Sequence, residues 1–206
     1  MAGVREEKKQ QTRQAIIGAA VQLFGDQGYE RTSIEKLARA AGIGKGTIYS
    51  YFKTKSEIFL AYCEDELEFL YKRLATKSDP DTPLIDQLLT LFTGMFRYVM
   101  KNKEFGRILM RERVFPKELT LEKSQHLDNR HLEMLDQMFR RAKQRGELRP
   151  DADLFFTGAH LYGIYLITVA AWFEGRIESE SEVREYLQVM IRQALNGVAL
   201  AGKEEQ

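Results

Sequence analysis

Prolines stand only at positions 80, 83, 116 and 150 of this 206-residue chain, and no stretch alternates apolar with polar residues as a half-buried strand requires. A proline inside a helix removes a backbone donor and clashes with the preceding turn, so the long proline-free runs are open to helix. Their apolar residues recur at three- and four-residue spacing. Ile16, Ala20, Leu23 and Phe24 share one face of a first helix over about residues 9–26, which stops before Gly28. Ile34, Leu37, Ala38 and Ala41 follow at helical spacing, with Thr32 or Ser33 as cap and Glu35 completing a capping box from Thr32. Gly42-Ile43-Gly44 breaks that helix; residues 45–52 resume one with Ile48 and Phe52 turned inward, and Ser56 opens a long fourth helix through Phe59, Tyr62, Leu67 and Leu70. After the polar connection SDPDTP, residues 78–83, further helices are predicted over 84–101, 104–113, 126–145, 153–174 and 181–199. The fold class that follows is all-α.

Composition agrees with a soluble chain able to bury a core: 44% hydrophobic and 30% charged residues. The single cysteine, Cys63, excludes an internal disulfide framework and fits a reducing compartment. MAGVREEKKQQTRQ at the N-terminus lacks the apolar centre of a signal peptide, so the expected location is the cytoplasm. Net charge, +1 overall, is unevenly spread. Residues 1–60 carry ten Lys/Arg against six Asp/Glu, a net +4, while the remaining 21 and 24 leave the rest at −3. A basic first part on an acidic body suits a phosphate-facing module joined to another domain.

Two helices joined by a short glycine turn, the second one brief and polar outward, form a helix-turn-helix pattern. With Ile48 and Phe52 committed to the core, the segment GKGTIYSYFKTK presents a cation, a hydroxyl and two phenols, groups that bond to phosphates or to base edges in a major groove. Gly46 lacks a Cβ and allows close approach of the backbone to DNA.

From Thr12 to Phe59 the chain resembles the N-terminal domain of the TetR family of bacterial transcriptional regulators, through the bridge LFGDQGYERTS, the turn LARAAGIGKGTIY and the segment YFKTKSEIF. That resemblance implies that Thr32, Ser33, Tyr49, Tyr51 and Lys55 anchor phosphates and that Lys45, Gly46 and Thr47 read bases. Ser50 also lies on the recognition helix. Glu35 repels phosphate and is assigned to capping. The implied organisation is a tail over residues 1–8, a DNA-binding domain over 9–57 and a helical ligand-binding and dimerisation domain over 58–201.

Residues 154–173, LFFTGAHLYGIYLITVAAWF, contain no Asp, Glu, Lys or Arg and match the length of a membrane span. Thr157, His160, Thr168 and the tyrosines make them only moderately apolar, and a buried interface helix is the preferred reading. In the TetR family the last two long helices form a four-helix dimer interface, which places Tyr165, Leu166, Val169, Trp172, Leu187, Met190 and Ile191 at the seam of a homodimer. The resemblance also implies a cavity in the C-terminal domain for a small apolar ligand. Its expected lining is Phe92, Met95, Phe96, Phe105, Met110, Met138, Phe139, His160 and Tyr162, with Arg107, Arg111 and Arg113 nearby for the acidic head group of a fatty acid or acyl thioester. His126 and His131 are read as solvated and His160 as an interior hydrogen-bonded group. No phosphate-loop, dinucleotide-binding or zinc-helix pattern is present, so no catalytic residue, metal site or cofactor is assigned. The expected function is a homodimeric transcriptional regulator, a repressor released from a palindromic double-stranded DNA operator by its ligand. The alternative is a helical protein-binding scaffold without DNA binding.

Overall fold

The computed structural model describes residues 2–77, 79 and 81–196, and among these there is no strand. The helices are α1 (Ala2–Gln27), α2 (Ile34–Ala40), α3 (Lys45–Tyr51), α4 (Lys55–Lys77), α5 (Leu84–Met100), α6 (Lys103–Val114), α7 (Leu121–Gln144), α8 (Leu154–Phe173) and α9 (Glu180–Asn196), with a single 3-10 turn at Glu118–Thr120. α1 takes in the segment expected as a tail: Arg5, Glu6, Glu7 and Lys8 are good helix formers, and Gly3 and Val4 fall in its first turn, where they do not interrupt the helix that follows. α7 begins earlier than periodicity suggested: the 3-10 turn after Pro116 runs directly into it. Ser78, Pro80 and the expected extension of the last helix to Ala199 lie outside the described residues.

The chain divides into two compact units. The first holds the described residues up to Phe69 together with Val99–Asp128. Its core is made by α1, α2, α3 and the start of α4, through Ile16, Ile17, Ala20, Phe24, Leu37, Ile48, Phe52, Ile58 and Phe59, all buried. α6 joins this core by Phe105, whose ring stands edge-on to Phe59 at 5.6 Å and to Phe24 at 6.2 Å between centroids. Edge-to-face rings at such distances stabilise beyond the area they bury.

The second unit holds Leu70–Tyr98 and the described residues from Asn129. Leu88, Phe92, Met95 and Phe96 of α5 meet Leu135 and Phe139 of α7, Leu161, Tyr165 and Val169 of α8, and Leu187 and Ile191 of α9 in its buried interior. Phe92 stacks on Tyr165 at 5.4 Å, and Phe96 is edge-on to Trp172 at 5.1 Å. α8 is long and apolar enough to cross a membrane, yet its inward side is buried in this unit.

Local chemistry sets the helix ends. Asn102 caps α6 by accepting from the Phe105 N–H at 3.1 Å, and Asp153 caps α8 by accepting from the Phe156 N–H at 3.0 Å. At the end of α2, Gly42 takes φ +67°, its N–H donates to Arg39 O at 3.2 Å, and the Ile43 N–H donates to Ala38 O at 3.0 Å. This left-handed closure reverses the chain between α2 and α3. A Cβ at Gly42 would meet nothing within 4 Å, so the requirement for glycine there is conformational and not steric. Gly42→Ala is accordingly expected to lower stability by about 1–2 kcal/mol in urea unfolding, while Gly42→Asn, which tolerates this conformation, recovers much of the loss.

Candidate nucleic-acid interface

Ile48 and Phe52, 0% and 2% exposed, fix the roll of α3 about its axis. The opposite side presents Lys45, Gly46, Thr47, Tyr49 and Ser50, all exposed, and Tyr51 half-buried beside them. A Cβ on Gly46 would meet nothing within 4 Å, so the chain's own packing does not demand glycine at that position. Ser50 Oγ donates back to Thr47 O at 2.7 Å, which leaves its oxygen lone pairs as its outward offering.

Three residues of this motif, Thr32, Glu35 and Lys55, have partners that sequence reading did not foresee, while Ser33 takes the cap that it allowed. Thr32 is buried; its hydroxyl donates to Gly28 O at 2.9 Å and accepts from Gln27 Nε2 at 3.1 Å. It holds the α1–α2 turn together and offers nothing to a phosphate. Ser33 is the α2 cap, its Oγ accepting from the Lys36 N–H at 3.3 Å, so the capping box expected between Thr32 and Glu35 does not form. Glu35 instead takes the Lys45 ammonium, Nζ to Oε1 at 2.5 Å, with both side chains well exposed. That hydrogen bond, reinforced by the opposite charge, lowers the Glu35 pKa and raises that of Lys45. Lys55, expected at a phosphate, donates to Tyr29 O at 2.6 Å and Thr32 O at 3.1 Å and lies 4.1 Å from the centre of the Tyr29 ring. Burial pushes its pKa below the usual lysine value, with Glu30 acting in the other direction.

Beneath Lys55 runs a polar chain that links the turn to α6. The Tyr29 N–H donates to Glu104 Oε1 at 2.8 Å, Tyr29 Oη and Ser56 Oγ are 2.9 Å apart, and Ser56 Oγ donates to Glu112 Oε1 at 3.3 Å. Thr120 Oγ1 donates to the second oxygen of Glu112, a carboxylate only 1% exposed. Sequence reasoning missed both glutamates because the partners lie 56 and 75 residues away. The available signal was Glu112 at helical spacing from Ile108 and Leu109, a charge on the apolar face of α6. Arg111 lies 3.2 Å from Glu112 and 3.6 Å from Glu30, and Arg113 is buried in a pair with Asp128. Neither arginine is thus available for a ligand head group as the sequence suggested.

In the second unit, Phe92, Met95, Phe96, Phe139 and Tyr162 are buried and Met138 is half-buried. Phe105 and Met110 lie on α6 of the first unit, where Phe105 is committed to the aromatic core. His160 is exposed, and His131 takes the interior place. His131 is 0% exposed, its Nδ1 is 3.1 Å from Tyr71 Oη, and its ring lies 4.5 Å from Tyr162 and 6.1 Å from Phe92. Five positions are about 140° of helix rotation, so His126 and His131 cannot share the solvated side of α7. His126 stays exposed, 3.0 Å from Glu64.

The expected dimer seam also needs redrawing. Tyr165, Val169, Leu187 and Ile191 are all 2% exposed or less within the single chain, so they have no surface to offer a second copy. Leu166, Trp172 and Met190 are half-buried. The outward side of α8 carries Phe155, Phe156, Ala159, His160, Gly163 and Ile167, and that of α9 carries Tyr186 and Val189.

A helix-turn-helix with an exposed second helix, followed by a larger helical body, is the organisation of a DNA-binding transcriptional regulator. Residues 16–62 match the family described as bacterial regulatory proteins, tetR family. The fatty acid metabolism regulator protein of Bacillus subtilis (strain 168) is 24% identical over 160 residues, 76% of this chain and 81% of that protein. Among solved structures, Thermus thermophilus FadR, a TetR-family transcriptional repressor in complex with lauroyl-CoA, aligns with a TM-score of 0.75 at 20% identity, covering 94% of this chain and 98% of that one. Bacillus subtilis FadR in complex with stearoyl-CoA aligns with a TM-score of 0.69 at 20% identity over 90% of this chain and 99% of that one. Residues 16–62 thus carry the DNA-binding region described for bacterial regulatory proteins of the tetR family, and the whole chain shares the fold of the TetR-family structures it aligns with.

The geometry changes what Lys55 is expected to do. Removing it strands two turn carbonyls, so Lys55→Met should lower the urea-unfolding stability by about 1–2 kcal/mol. A lysine that only touched phosphate would leave the unfolding midpoint in place and merely flatten the salt dependence of DNA binding.

Proposed function

We propose that this protein is a homodimeric repressor that acts in the cytoplasm, holds a near-palindromic operator, and is released when a long-chain acyl thioester enters its C-terminal unit. The observation that carries the dimer is the outward stripe on α8 and α9. Phe155, Phe156 and Ile167 are 63%, 69% and 51% exposed, and Val189 is 51% exposed. Their spacing keeps these residues on the side of each helix that faces away from the buried core. Grooves of about 490 Å³ between α7 and α8 and about 580 Å³ along α9 flank it and give a second copy's side chains a place to seat. Two identical patches meeting about a two-fold axis satisfy each other, and a two-fold protein calls for a two-fold operator.

The ligand reading rests on the chemistry of the second unit and on what the relatives bind. Phe92, Met95, Phe96, Met138, Phe139 and Tyr162 supply a methionine- and aromatic-rich interior able to repack around an alkyl chain. His131 and the tyrosines at 71, 162 and 165 add polar atoms inside it. The regulators from Thermus thermophilus and Bacillus subtilis were solved with lauroyl-CoA and stearoyl-CoA. α4 runs unbroken from Lys55 beside the recognition turn to Lys77. A ligand that favours a displaced α4 changes the spacing of the two recognition helices, and a coupling of about 1–3 kcal/mol makes a useful switch.

Two outcomes are expected. Ile167→Glu combined with Val189→Glu should give a monomer in sedimentation while the native chain sediments as a dimer, and half-site centres in a selected operator should lie about 34 Å or a multiple apart. Titrating lauroyl-CoA or stearoyl-CoA into protein bound to that duplex should release the DNA in fluorescence anisotropy, with coenzyme A alone ineffective; absence of release by either thioester overturns the ligand assignment.

A further inference from the structure

Capping does not explain the Glu35–Lys45 pair. Lys45 opens α3 on the side turned away from the core, and an exposed ammonium there is able to donate to a guanine edge. Its ammonium is held at 2.5 Å by a carboxylate that is itself exposed on the same side of the motif. Ser33 already caps α2, and the α2 lysine adjacent in sequence, Lys36, is drawn to Gln27 Oε1 at 2.9 Å and Arg31 O at 3.0 Å. Glu35 is therefore not needed to close the helix, and it has Lys45 as its cation. We propose that Glu35 is a specificity-determining residue: it withholds Lys45 from phosphates and releases it only where a guanine acceptor and a donor for the carboxylate occur together.

Carboxylate and phosphate compete for the same ammonium. Binding to arbitrary duplex comes from lysines and arginines that displace counterions from phosphates, at about 0.9 of an ion for each contact. An unpaired Lys45 would join that set on any sequence. Paired, it gains little by exchanging a carboxylate for a phosphate, since both are anionic oxygens in similar surroundings. Glu35 carries its own charge toward the groove, and there it is repelled by every backbone oxygen and satisfied only by an amino donor, best supplied by cytosine N4. A register that offers guanine O6 and N7 to Lys45 and an amino group to Glu35 satisfies both members at once. Other registers leave one of them repelled or unmet, and discrimination built from such penalties acts by weakening the wrong complexes.

The test uses the full chain with two duplexes: one selected from a random pool by the native protein, and a shuffled duplex of equal length. Glu35→Gln keeps shape and hydrogen-bonding capacity while removing the charge. It should tighten binding to the shuffled duplex, steepen its log–log salt dependence by about one ion per protomer, and lower the ratio of selected to shuffled affinity by at least about fivefold. Glu35 acts through Lys45, so in a Lys45→Met background the same change should leave the ratio and the extra salt slope unmoved. Equal tightening of both duplexes, present with or without Lys45, would make Glu35 only a repulsive surface charge and overturn the proposal. So would no change in the shuffled-duplex salt slope.

Discussion

The packing of Phe59 against Phe24 and Phe105 underlies the arrangement of the DNA-binding unit. These rings come from α4, α1 and α6, three helices far apart in the chain, and their contacts, edge-on to Phe105 and tilted between Phe24 and Phe59, leave little freedom in how the helices cross. Phe59 lies one turn after Lys55 and Ser56, so seating its ring also sets where those two polar side chains emerge. From there Lys55 reaches the carbonyls of Tyr29 and Thr32, and Ser56 bridges Tyr29 to Glu112. The recognition turn thus hangs on an aromatic core with a hydrogen-bonded layer over it. The layer is costly to break because Glu112 is a buried carboxylate whose charge is held by hydroxyl groups and Arg111.

Charge in this unit serves two separate purposes. The N-terminal excess of basic residues suggests a surface full of phosphate contacts, yet several of these cations are committed inside the chain. Lys55 and Lys36 satisfy turn carbonyls, and Lys45 shares a hydrogen bond with Glu35. Such commitments order the motif before DNA arrives, which lowers the entropy lost on binding. They also mean that net charge counts cations without regard to their partners, and so overstates the electrostatic pull of the domain.

The second unit balances closure against exposure. Its inward side is sealed by Phe92, Tyr165, Val169, Leu187 and Ile191, with His131 among the rings. Its outward side carries large apolar side chains that a solitary soluble chain would pay to keep wet. The same apolar helix supplies both: Tyr165 and Val169 point in and Ile167 points out, because neighbouring positions on a helix diverge by about 100°.

Much of this was legible in the sequence alone. Helical periodicity, the confinement of proline to four places and the glycines between Ala41 and Lys45 sufficed for the all-α class, the helix-turn-helix and the inward roles of Ile48 and Phe52, because those features depend on residues within a turn or two of one another. What sequence could not decide is which partner a polar group meets across the fold. Thr32 and Lys55 read as phosphate anchors and became internal struts, Glu35 read as a cap and became the partner of Lys45, and His131 read as solvated and became core. Tyr165 and Ile191 read as a seam between chains and proved to be inside one. Apolar spacing shows that a helix has a buried side, but only tertiary packing settles what lies against it, since a hydrogen bond or a ring contact depends on positions set by dozens of intervening residues.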